Sequence, residues 1–122
     1  MNFTFTKNIK PFVEEELQLA SRVYSQGDKI KAFKHLENAH VIGQNSTYLH
    51  VKVHCLMFAW ALKARKPKEL LGQVMRIFGA ATKTAIGLVP EGNTGGANVS
   101  PFKVMPISVE HANYIKTAKT TK

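Results

Sequence analysis

The sequence predicts an all-α protein: a four-helix core made of two consecutive helical hairpins, then an ordered Gly/Pro-rich segment and a short last helix. Three observations carry this. Apolar residues recur at three- and four-residue spacing through four windows between about residues 11 and 83, the period of helices buried on one face. Turn and capping residues, Gly27-Asp28, Gly43-Gln44-Asn45 and Lys66-Pro67, separate those windows. Residues 87–106 then hold Gly87, Gly92, Gly95, Gly96, Pro90, Pro101 and Pro106, too many breakers for any helix. A chain of 122 residues leaves no room for two independent cores, so residues 1–122 are expected to form one domain.

The first helix is expected from about Pro11, tolerated in a first turn because that amide has no intrahelical partner. Glu14, Glu15 and Glu16 would load its N-terminal end with charge the helix dipole favours. Phe12, Val13, Leu17, Ala20, Val23 and Tyr24 form its apolar face, and Gln26-Gly27-Asp28 ends it. Asp28 is a good N-cap for a second helix to about Gly43, with Ala32, Phe33, Leu36 and Ala39 inward. The short link makes an antiparallel hairpin.

Ser46 or Thr47 can cap a third helix reaching Ala64 and burying Val53, Leu56, Met57, Trp60, Ala61 and Ala64. A fourth starts at Pro67, carries Glu69 in its first turn and turns Leu70, Leu71, Val74, Ile77, Phe78 and Ala81 inward. Leu88, Val89, Val99, Phe102, Val104 and Met105 make the Gly/Pro-rich segment too apolar for a loose linker, so it should pack along the bundle. A short helix from about Ser108 to Lys116 follows. Gly27-Asp28 followed by Ala32, Leu36 and Ala39 makes the first half tetratricopeptide-repeat-like. The second hairpin lacks matching small residues, and two units alone make a poor solenoid.

Dispersed charge and 44% hydrophobic residues argue against disorder. Residues 1–16, MNFTFTKNIKPFVEEE, contain no apolar run of a secretory signal, and no window approaches the roughly 18–20 apolar residues of a membrane helix. The single cysteine, Cys55, excludes an intrachain disulfide, and a cytoplasmic, membrane-free protein is expected. Seventeen Lys and Arg against eight Asp and Glu give a net charge of +9, which invites a nucleic-acid reading. Their placement argues against it. Lys63, Arg65, Lys66 and Lys68 cluster where one helix ends and the next begins, and Lys116, Lys119 and Lys122 belong to a terminal tail. No aromatic platform is interleaved with them.

The histidines carry the most chemistry. On a helical wheel of about 100° per residue, Glu16 falls among Phe12, Val13, Ala20 and Val23. His40 lies between Phe33, Leu36 and Gly43, with Glu37 one turn earlier on its flank, and His50 and His54 align with Met57 and Ala61. Three helices thus aim acids or imidazoles at one interior. An unpaired buried charge is costly, and a divalent cation is an efficient partner. His-x-x-x-His and Glu-x-x-His each stack two donors on one helix face. Glu16, Glu37, His40, His50 and His54 are therefore the candidate ligands, a set suited to Zn²⁺, Fe²⁺ or Mn²⁺.

Such short spacings also occur by chance. The competing reading is a structural polar network, with Glu37 paired to Lys34 or Arg22 and the histidines bonding carbonyls of the Gly-rich segment. His35 faces away from the stripe and reads as a surface residue, Cys55 points about 100° off it, and His111 has no evident partner. Asn93-Thr94-Gly95-Gly96-Ala97-Asn98 could form a backbone nest for an anion or a plain turn, and turn preferences favour the turn. No P-loop, GxGxxG or serine-hydrolase elbow is present, so no catalytic residue or nucleotide cofactor is assigned.

AFKHLENAHVIGQ (32–44), LHVKVH (49–54) and GLVPEGNTGGANVSPF (87–102) resemble a small bacterial family known only as domain of unknown function 3703. The resemblance spans nearly the whole chain, and its family-like positions include Glu16, His35, Glu37, His40, Gln44, His50 and His54. It implies no particular activity. The sequence therefore supports two expectations. One is a protein binding one or two divalent ions through the five candidate ligands, for metal handling or a metal-dependent reaction. The other is a helical-hairpin interaction module whose groove takes a protein partner or a second copy, with the Glu/His set as internal hydrogen bonding.

Overall fold

The computed structural model describes residues 3–84 and 87–121, and within them the chain forms five α-helices and no strand. These are α1 (Phe3–Ser25), α2 (Lys29–Gly43), α3 (Thr47–Lys63), α4 (Pro67–Lys83) and α5 (Val109–Thr120). The fold is all-α. α1 pairs with α2 and α3 with α4, as two hairpins in succession. No helix among the described residues is long and apolar enough to cross a membrane.

Local chemistry sets most boundaries. Asp28 Oδ1 accepts from the Lys31 amide at 3.0 Å, Ser46 Oγ from Leu49 at 3.4 Å and Ser108 Oγ from His111 at 3.2 Å, each answering an amide that the helix leaves without a partner. Pro67 opens α4 in the first turn. The start of α1 differs from the expectation. The helix begins at Phe3, Pro11 lies inside it, and Glu14, Glu15 and Glu16 fall mid-helix with no acid in the first turn. An interior proline costs about 3 kcal/mol. The added turns bury Phe5 and Ile9 on the same face as Val13, and at roughly 1.5–3 kcal/mol for each large apolar side chain this offsets the penalty.

The apolar core is drawn from Phe5, Ile9, Val13 and Ala20 of α1, Leu36, Ala39 and Ile42 of α2, Leu49, Val53 and Met57 of α3, and Ile115 and Ala118 of α5. α4 supplies none of it. Much of the face expected inward is turned out: Leu71 is 69% and Phe78 72% exposed, with Val74 and Leu56 of α3 also on the surface, while Leu70 and Ile77 are half-buried. Inward instead comes a second stripe of helical period, Glu69, Gln73, Arg76, Ala80 and Lys83. Among the helices α4 packs directly on α3 alone, and residues 87–106 lie between α4 and α2.

That irregular segment needs partners for its backbone, and the polar stripe provides them. Arg76 donates to the carbonyls of Gly95, Gly96 and Val99, Lys83 Nζ to that of Pro101 at 3.0 Å, and Glu69 Oε2 accepts from the Ala97 amide at 2.8 Å. The apolar residues Leu88, Phe102 and Val104 remain exposed, so hydrogen bonds rather than apolar packing seat the segment.

Candidate metal centre

His40 sits in the last turns of α2, and His50 and His54 in successive turns at the start of α3. The tight turn through Ser46, whose amide donates to the Gly43 carbonyl at 2.9 Å, swings α3 back so that the three rings meet. They are 3%, 4% and 2% exposed. His40 Nε2 lies 3.0 Å from His54 Nε2 and 3.0 Å from His50 Nε2, and one ligand atom from each residue lies within 4.8 Å of the others.

The outer ring nitrogens fix the tautomers. His40 Nδ1 donates to the Asn93 carbonyl at 2.6 Å. His54 Nδ1 lies 2.6 Å from Gln73 Oε1, while Gln73 Nε2 donates to Glu69 Oε2 at 2.7 Å and to the Gly95 carbonyl at 3.0 Å. Because that amide nitrogen is committed to two acceptors, Oε1 must be the atom facing His54, and His54 Nδ1 carries the proton. His50 Nδ1 meets Thr84 Oγ1, whose hydroxyl in turn donates to the Gln44 carbonyl at 3.4 Å. With protons on Nδ1, the Nε2 atoms of His40 and His54 face each other as bare lone pairs.

Adding a second proton to any ring is disfavoured. Burial above all, then the neighbouring His54 and His50, holds His40 well below its ordinary value. Burial, His54 and Lys83 push His50 down to about 3. Burial pushes His54 down to about 4 against the raising effect of its Gln73 hydrogen bond. The rings are neutral at pH 7, the state in which imidazole ligates metals.

The Gly-rich loop forms the outer wall. Asn93 Nδ2 donates to the carbonyls of Ser100 and Lys103, both at 2.8 Å, and its Oδ1 accepts from Gly95 at 2.9 Å. The amides of Gly95 and Ala97 are thus answered inside the chain, and a turn closes over residues 96–99, where the Val99 amide donates to the Gly96 carbonyl at 3.2 Å. Gly95 has φ +83°, and a Cβ there would fall 2.5 Å from His40 Cδ2, so only glycine lets the loop lie against the ring. Gly95→Ala should displace His40 from its partners. The expected result is a lower denaturation midpoint and at least a tenfold loss of zinc affinity by competition with a chelator, the size seen when partners that orient ligands are disturbed.

The five residues singled out by the sequence are not all brought together. His40, His50 and His54 converge. Glu16 Oε2 instead lies 2.7 Å from His35 Nδ1 and 3.4 Å from Asn38 Nδ2, and its Oε1 4.0 Å from His111 Nε2. His35 is therefore half-buried between α1 and α2 rather than a surface residue. Glu37 hydrogen-bonds Thr94 of the loop, and burial raises its pKa against the lowering effects of Lys34 and Thr94. Sequence reasoning missed Gln73, Thr84 and the inward role of Glu69, whereas the His40 bond to the Asn93 carbonyl is a contact with the Gly-rich segment of the kind the polar-network reading expected. The polar stripe 69–73–76–80–83 was the available signal for Gln73 and Glu69.

Fold and site together define an all-α protein whose central polar feature is a buried, neutral three-histidine cluster closed by a Gly-rich loop. The family described as "Protein of unknown function (DUF3703)" matches residues 7–115, and the chain belongs to it. No curated protein and no solved structure matches the chain.

Proposed function

We propose that the protein binds one divalent transition-metal ion through Nε2 of His40, His50 and His54. The observation that supports this most is the His40–His54 contact, where two ring nitrogens with no proton between them stand 3.0 Å apart. A purely structural network would put a proton there, and the Asn93 carbonyl and Gln73 Oε1 take the protons elsewhere. A cation between the lone pairs removes that conflict. Zinc bonds of 2.0–2.1 Å in tetrahedral geometry set ligand nitrogens ~3.3 Å apart, so the two 3.0 Å pairs open slightly and the His50–His54 edge, within 4.8 Å, closes toward that value.

The donor set also narrows the metal. An all-imidazole site suits zinc or ferrous iron better than manganese, which prefers carboxylates. Three protein ligands leave a fourth position for an exchangeable group, the pattern of catalytic rather than closed structural zinc sites. The Glu69–Gln73–His54 chain and the Asn93–His40 bond supply the outer hydrogen bonds that orient such ligands. Elemental analysis of protein purified without a nickel column should find about one equivalent of metal per chain by this stoichiometry. His50→Ala/His54→Ala should carry none, and no stoichiometric metal in the unaltered protein, even after loading with zinc, would end the reading.

The interaction-module reading draws on a different observation. Residues 87–106 occupy only part of the space between α2 and α4, an open, largely apolar groove of about 720 Å³ lined by Phe33, Trp60, Pro67 and Ala97 remains there, and Leu71, Met75 and Phe78 form an exposed apolar stripe on α4. A protein partner or second copy would dock there. Light scattering of the unaltered chain and Phe78→Glu tests the second copy: a dimer made monomeric by the substitution supports it, and a monomer at all concentrations removes it.

A further inference from the structure

Gln44 follows α2 and is 2% exposed. Its Nε2 donates to the Pro90 carbonyl at 3.0 Å, which fixes the amide's orientation because a carbonyl can only accept. The other end, Oε1, has no hydrogen-bond partner, the one buried side-chain polar atom so left among the described residues. An unanswered buried acceptor is costly, so it points to a donor not supplied by the chain. Gln44 borders a wider cavity toward α5 and also the small one that His40, His50 and His54 share.

Size, hydrogen bonding and charge each constrain what fills the small cavity. Its volume is about 20 Å³, and one water needs roughly 10–15 Å³ measured this way. There is room for one water-sized ligand and none for a polyatomic substrate, so the ion itself would lie among the ring nitrogens rather than in the cavity. The ligand must donate a hydrogen bond to Gln44 Oε1. It must also bring the ion a lone pair and no positive charge, since the ion, Arg76 and Lys83 are all cationic. Ammonium fails the third condition, and halides fail the second.

We propose that a solvent-derived ligand, water or hydroxide, completes the coordination of the ion held by His40, His50 and His54 and donates its O–H to Gln44 Oε1. This rests on the three-histidine metal reading. Gln44 is then a positioning residue that selects an O–H ligand over a bare anion at the fourth position. A metal-held water so placed is the group from which such centres generate a nucleophile.

The test uses the whole chain loaded with one equivalent of Co²⁺. Pulsed electron–nuclear resonance should show a strongly coupled proton, closer than the imidazole N–H protons, that vanishes in D₂O. Gln44→Met should keep the cobalt, and chloride, monatomic and without a proton to give, should displace the solvent ligand with a dissociation constant at least roughly tenfold lower than in the unaltered protein. Cobalt without the exchangeable proton, or equal chloride constants, would overturn this assignment and leave the three-histidine site standing. No stoichiometric cobalt in the unaltered protein would overturn both. Should Gln44→Met fail to fold, the D₂O comparison on the unaltered chain decides.

Discussion

Metal-free protein should unfold steeply on acidification, between about pH 6 and pH 4, from the linkage between His protonation and folding. Unfolded histidines titrate near 6.5, whereas burial holds His50 at about 3, His54 at about 4 and His40 well below its ordinary value. Folded-state values are depressed, so above pH 6.5 both states are neutral and these groups contribute nothing. Below it the unfolded chain takes up three protons that the folded chain refuses, and stability falls as pH falls until the folded values are reached. Three protons correspond to about 4 kcal/mol per pH unit at the steepest. Against a total stability of about 5–15 kcal/mol, that suffices to unfold the domain. Circular dichroism with a chelator present should give a midpoint above pH 4. An unchanged signal from pH 7 to pH 4 would show that the rings are not held neutral by burial.

Zinc should stabilise the protein at pH 7 and delay the acid transition, because the ion binds the folded chain and adds to the stability that protonation of the unfolded histidines must overcome. A ligand at a hundred times its dissociation constant adds about 2.7 kcal/mol, which for a domain of this size raises the melting temperature by roughly 10 °C. The shift should reverse with chelator and be absent in His50→Ala/His54→Ala. Because the rings are already deprotonated, the zinc-induced shift should be nearly as large at pH 6 as at pH 8. A shift lost by pH 6 would mean that protons occupy the site in the folded protein.

The features legible in the sequence are those set by nearby residues. Asp28, Ser46, Pro67 and Ser108 mark helix starts because capping and first-turn chemistry is local. His50 and His54 read as a pair because a four-residue spacing shares one face whatever surrounds it. Features decided by distant contacts were not legible. Pro11 outweighed Phe5 and Ile9 in the sequence because their burial depends on α2, α3 and α5.

α4 carries two stripes of helical period, and the apolar one would face a core in most helices. Here an irregular backbone, rather than another helix, lies against the polar stripe, and such a backbone needs donors and acceptors more than apolar surface. The same cause hid Gln73 and Glu69. Glu16 was rightly turned inward by its wheel position but meets His35 across the α1–α2 hairpin. His35 looked exposed because helix two was judged by its apolar stripe alone.

X-ray absorption at the metal edge of the zinc-loaded protein tests the central claim most directly. The account predicts three imidazole scatterers at 2.0–2.1 Å and one oxygen in the fourth position, reduced to fewer imidazoles in His54→Ala. A loaded ion with fewer than three imidazoles in the unaltered chain, or one bound chiefly through carboxylates, would contradict it.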